Sequence, residues 1–121
     1  MNETGVALAS AARTATTTSS TLENPRGRGV VLFLDVTVAS GTGGLQVQAQ
    51  AIDPTGGTAL AVNSAPTAVT ATGLKTYVIY PGASAGATQN TSGVLTRRWN
   101  VKVTAGDSSS YTYSVSYQYL Q

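Results

Sequence analysis

The most regular alternation in the chain runs from Val94 to Ala105, where Leu95, Arg97, Trp99, Val101 and Val103 interleave with Thr96, Arg98, Asn100, Lys102 and Thr104. A period of two with apolar and polar residues sorted in this way predicts a strand with one buried and one wet face. The stretch Tyr111 to Gln121 repeats the pattern, with Tyr111, Tyr113, Val115, Tyr117 and Tyr119 on one side. The turn residues Gly106-Asp107-Ser108-Ser109 between the two predict that they pair as a hairpin. In Gly29 to Ser40, Val30, Leu32, Leu34, Val36 and Val38 share a face; the opposite face, Val31, Phe33, Asp35 and Thr37, is only half polar, so both sides want cover. Leu45 to Ile52 follows a Gly41-Thr42-Gly43-Gly44 turn and alternates with glutamines at 46, 48 and 50, which predicts another hairpin.

Beyond the Asp53-Pro54-Thr55-Gly56-Gly57 turn, short strands are expected around Ala59 to Val62 and Ala68 to Ala71, and a firmer one from Leu74 to Tyr80. Ala83 to Gly93, small and polar, reads as a long loop, and no internal repeat is visible. Roughly seven to eight strands at this spacing predict an all-β fold, an antiparallel β-sandwich or jelly-roll-like barrel. Residues 1–24 read as an extended N-terminal arm and residues 25–121 as a single β-sandwich domain. The arm holds little to bury and should fray alone. Either it adds a strand to its own sheet, or it docks against a neighbouring subunit.

Composition agrees with a sheet. Ser and Thr number 31 and Val 13 among 121 residues, whereas Glu, Lys and Met total five. Charged residues make up only 10%, against about 25% in a typical domain. Seven Lys and Arg against five Asp and Glu leave a net charge of +2, too little for a nucleic-acid footprint, so no nucleic-acid partner is expected. The longest apolar run, Val30 to Leu34, is far shorter than a membrane span, so no membrane partner is expected either. The segment Gly5 to Ala12 imitates a signal peptide, but Glu3 stands where a basic region belongs and the apolar core is short; mature sequence is expected.

The chain contains no Cys and no His, which removes disulfides, the usual zinc sites, thiol nucleophiles and imidazole chemistry. Of the carboxylates, Glu3 and Glu23 lie in the arm, while Asp53 and Asp107 sit where turns favour Asp. Lys75 and Lys102 fall on strands that point long cationic chains toward water. The Gly41-Thr42-Gly43-Gly44 stretch lacks the Gly-Lys-Ser/Thr of a phosphate loop. The expectation is a chain that is not an enzyme, with no catalytic residues, metal, cofactor or small-molecule substrate. Arg97, on an apolar face, needs either a rim position or a partner across a subunit contact. Four tyrosine hydroxyls in one row cannot all vanish into a dry core, which points to an interface along part of that strand.

Three stretches, Arg28 to Thr37, Tyr77 to Gly82 and Arg98 to Thr104, resemble small virion proteins of tailed bacteriophages. Gly106-Asp107 with Tyr111 to Val115, and the Ala9 to Thr16 arm, extend the similarity over nearly the whole chain. The resemblance implies a phage virion structural protein, a capsid decoration or cement protein that binds the lattice and reinforces subunit junctions. Its partners would be the major capsid protein and copies of itself, as a trimer or dimer. It would be made in the bacterial host cytoplasm and sit on the capsid exterior. Candidate contacts are Val6, Leu8, Arg13 and Leu22 in the arm, with Phe33, Arg97, Tyr117 and Tyr119 in the body. A tail or head–tail component is one alternative; a glycan-binding surface module with Trp99 or Tyr80 as its platform is another.

Overall fold

The computed structural model describes residues 3–83 and 90–121. Nine strands are formed among them: β1 (Thr4–Arg13), β2 (Thr17–Thr18), β3 (Leu22–Glu23), β4 (Gly29–Ala39), β5 (Leu45–Ile52), β6 (Ala59–Ala61), β7 (Gly73–Ile79), β8 (Arg98–Ala105) and β9 (Tyr111–Leu120). They build two antiparallel sheets, a four-stranded one ordered β1-β9-β4-β7 and a five-stranded one ordered β2-β8-β5-β6, with β3 also paired to β8. This is the double-sheet sandwich expected from the alternation. Its order is that of a jelly roll, in which the chain changes sheet at every step except between β2 and β3 and between β5 and β6.

The inner faces are those read from the sequence except at Val38, expected in the core, which a register shift after Val36 leaves 50% exposed. Val30, Leu32, Leu34 and Val36 of β4 are essentially inaccessible, as are Trp99, Val101 and Val103 of β8. Each buried aliphatic side chain of this kind contributes about 1.5–3 kcal/mol. Both expected hairpins are corrected. β4 pairs with β9 and β7 rather than β5, and β8 pairs with β5, β2 and β3 rather than β9. The physical reason is that β4 and β9, 11 and 10 residues long, align along their whole length, from Gly29↔Leu120 to Ala39↔Tyr111. Consecutive strands then face each other across the core, and the turns become arches between sheets. The expected strand at Ala68 to Ala71 shrinks to one bridge, Leu45↔Val69. Between it and β6, the buried Asn63 stands in for backbone: its Oδ1 accepts from Ala49 N (2.8 Å) and its Nδ2 donates to Val47 O (3.2 Å).

The two arches, residues 40–44 and 106–110, lie against one another at one end of the sandwich. Asp107 joins them. Its Oδ2 accepts from Gly43 N (2.7 Å) and Thr42 N (3.2 Å), and its Oδ1 from Ser109 N (3.1 Å) and the buried Tyr111 hydroxyl (3.2 Å). That hydroxyl in turn accepts from Gly44 N (2.9 Å), and Gly106 N donates to Gly44 O (2.9 Å). Gly43 and Gly106 meet backbone to backbone, and a Cβ on either would run into the other. The segment read as an arm lies along both sheets: β1 on β9, β2 and β3 on β8. Of the expected loop Ala83 to Gly93, residues 84–89 lie outside the described residues. Its far side is tied to β7 through Thr91, which donates to Val78 O (2.7 Å) and accepts from Tyr80 N (3.1 Å).

Asp107→Asn is expected to lower the melting temperature at neutral pH, because one of the acceptor oxygens becomes a donor. The backbone N–H of Gly43, followed by those of Ser109 and Thr42 and the Tyr111 hydroxyl, holds the Asp107 carboxyl below its ordinary 3.8. The stabilisation is therefore complete near neutrality and fades as the pH falls from that value through the lowered one. The gap in melting temperature between wild type and Asp107→Asn should narrow on acidification. A gap that stays constant down to about pH 2 would assign the effect to shape instead of charge.

Candidate functional site

No group of three or more His, Cys, Asp and Glu side chains that could hold a metal ion is formed among the described residues. Glu23, Asp35, Asp53 and Asp107 belong to four different parts of the fold, and Asp53 and Asp107 are engaged with backbone N–H groups in their turns. What the fold assembles is aromatic. The Trp99 ring is fully buried and meets Tyr117 and Tyr119 edge-on, at centroid separations of 5.3 and 5.9 Å. Its indole Nε1 donates to the Tyr119 hydroxyl (3.0 Å), which itself donates to the carbonyl oxygen of Glu23 (2.5 Å). Burial outweighs that bond and raises the Tyr119 hydroxyl to about 12. A carbohydrate platform built on Trp99 is corrected by this geometry, because the ring has no accessible face. Tyr80 is half-buried and its hydroxyl donates to Gln121 O (2.8 Å).

The tyrosine row needs less outside help than its pattern implied. Tyr111 and Tyr119 spend their hydroxyls on the arch and on β3 of their own chain. The buried Tyr113 hydroxyl finds no partner among the described residues. Tyr117 is half-buried against the Trp99 ring.

The remaining candidate contacts divide. Leu8 lies in the core and Leu22 packs partly against it. Val6 is 62% exposed. Arg13 folds over its own strand: it donates to Ala9 O (2.6 Å), Ala11 O (3.4 Å) and Tyr113 O (2.9 Å), with its guanidinium 4.7 Å from the Tyr113 ring centroid. Arg97 takes the rim position. The strand starts only at Arg98, so the alternation breaks before it. The Arg97 side chain stands 78% exposed, with Nε 3.9 Å from Glu23 Oε2. An exposed pair of this kind is worth under about 1 kcal/mol.

Phe33 is half-buried on the outer face of the four-stranded sheet. Register places it in a row with Val6, Ser116 and Thr76. The next row holds Thr4, Gln118, Val31 and Val78, and another holds Ser114, Asp35 and Leu74. Direct cross-strand partners share a face, so these rows form one surface carrying a single charge, Asp35. Leu74 and Val78 were not recognised as part of it, because β7 alone offers no second strand to show which side is wet.

No family model matches the sequence, and no curated protein matches it. Among solved structures, the chain is similar to a chain of the "Structure of infectious bursal disease virus Gx strain", at 18% identity and a TM-score of 0.48. The match covers 98% of this chain and 31% of that one, so this chain spans about a third of the length of the solved chain it matches. A likeness of this degree says nothing of role.

The hydroxyl accounting separates two conservative substitutions. Tyr119→Phe leaves the Trp99 N–H and the Glu23 carbonyl without their partner and is expected to cost about 1–3 kcal/mol in urea unfolding. Tyr113→Phe removes a buried hydroxyl that has no partner among the described residues and is expected to be neutral or stabilising. Equal losses from both would mean that the Tyr119 hydroxyl is not a bridging group.

Proposed function

We propose that the chain is a structural protein of a phage virion, a decoration or cement protein that binds the capsid exterior and reinforces the junctions between capsid subunits. The observation that carries this reading is the outer face of the four-stranded sheet, where Val6, Val31, Phe33, Leu74 and Val78 come from three of the four strands, the fourth adds only serines and a glutamine, and Asp35 is the one charge. A sheet face with so little charge gains by being covered, and the cover it fits is another flat protein surface. The resemblance of the strand and turn stretches to small virion proteins supports the same reading.

A cement protein works through repetition. Each contact is weak, but many copies on one lattice, or a trimer or dimer touching several subunits together, raise the total strength without new chemistry. Tail and head–tail components would use the same sparsely charged face, and they differ only in where the protein sits on the particle.

Particles stripped of the protein are expected to lose resistance to heat and osmotic shock, and to regain it when the wild-type chain is added back. Val31→Asp/Phe33→Asp places two carboxylates on the outer face without touching the core. It is expected to remain folded with a lowered melting temperature, checked by a thermal melt, and to fail to restore resistance at temperatures where it is folded. Stripped particles as robust as intact ones, or full restoration by the double variant, would reject the cement role. Density at the neck or tail in images of intact particles would move the protein there.

A further inference from the structure

Four of the five arginines fall in two short segments far apart in sequence, Arg26 and Arg28 before β4, and Arg97 and Arg98 at the start of β8. The fold sets those segments side by side. Asn24 N donates to Arg97 O (2.6 Å), Leu95 N donates to Arg28 O (2.9 Å), and Glu23 is the register partner of Arg98. All four side chains are exposed at the end of the sandwich opposite the two arches. Those of Arg26, Arg28 and Arg98 make no hydrogen bond, ion pair or ring contact among the described residues, and Arg97 has only its 3.9 Å approach to Glu23.

The charge of the molecule is thereby lopsided. At this end four arginines stand against Glu3 and Glu23, which accounts for the whole net charge of +2; elsewhere Arg13, Lys75 and Lys102 balance Asp35, Asp53 and Asp107. A cationic end on an otherwise neutral body turns the molecule toward an anionic surface before contact. The cluster is arginine throughout, with both lysines elsewhere, and the planar guanidinium fork matches carboxylates in two-bond pairs.

We propose that this end is a docking surface for an acidic protein surface, with Arg26, Arg28, Arg97 and Arg98 pairing with the partner's carboxylates. Discrete carboxylates can interleave with Glu3 and Glu23, whereas a continuous phosphate chain would run over both. A cleft beside Arg26, about 240 Å³ and walled by Glu3, Pro25, Arg26, Gly27, Tyr119 and Gln121, has room for an inserted side chain and not for a duplex. This assignment stands apart from the virion reading and holds or fails without it.

The test is binding of the full chain to a labelled oligoglutamate peptide, with a neutral peptide and a short DNA duplex as the other probes, at low and physiological salt. Arg26→Gln/Arg28→Gln and Lys75→Gln/Lys102→Gln lower the net charge equally and touch only surface side chains. The arginine pair is expected to weaken oligoglutamate binding about tenfold and the lysine pair less than about twofold, with both effects shrinking as salt rises. Equal losses from the two pairs, tighter binding of the duplex than of the acidic peptide, or no oligoglutamate binding even at low salt would each overturn the proposal. Thermal melts matching wild type establish that the variants are folded.

Discussion

A single carboxylate closes one end of this sandwich. The two arches run in opposite directions between the sheets, and Asp107 bonds across both, through Gly43 and Thr42 on one and Ser109 and Tyr111 on the other. Jelly-roll order depends on such connections, since a turn that relaxed into an ordinary hairpin would pull β5 or β9 into the wrong sheet. The glycines at 43 and 106 let the arches approach closely enough for one side chain to span them. Packing of the inner faces supplies most of the stability, while the crossing geometry decides which faces meet.

The tyrosines extend the same logic along β9. Tyr111 reaches the arches at one end, and Tyr119 reaches the β3 backbone at the other. Each buries a ring in the core and spends its hydroxyl on a segment that would otherwise be loose. A chain with 10% charged residues has few ion pairs with which to fasten its periphery, and here buried phenols take over that task. Tyr113, between them, supplies the ring without the tether.

Periodicity revealed faces and was silent about neighbours. The inward sides of β4, β5, β8 and β9 could be read residue by residue, from Val30 and Leu32 to Val101 and Val103, because a period of two is a local property. Strand partnership is not local: Gly29 meets Leu120, and nothing in the residues around either announces it. The same gap hid the arginine end, whose two halves are joined by the bonds from Asn24 and Leu95 and by the pairing of Glu23 with Arg98. Of the two positions the pattern leaves open to Arg97 the structure takes the rim, since its alternation continues that of β8 although the strand itself begins one residue later. The outer face containing Phe33 was legible as half apolar in β4, but its extent needed the register of four strands.

Arg13 has a consequence for how the molecule behaves in a crowd. β1 is the outermost strand of its sheet, and an outermost strand is a template on which further copies can grow without limit. By turning its guanidinium back onto the carbonyls of Ala9 and Ala11, the chain occupies part of that template with its own side chain. A strand from another copy would have to displace this guanidinium before it could pair with that stretch of β1.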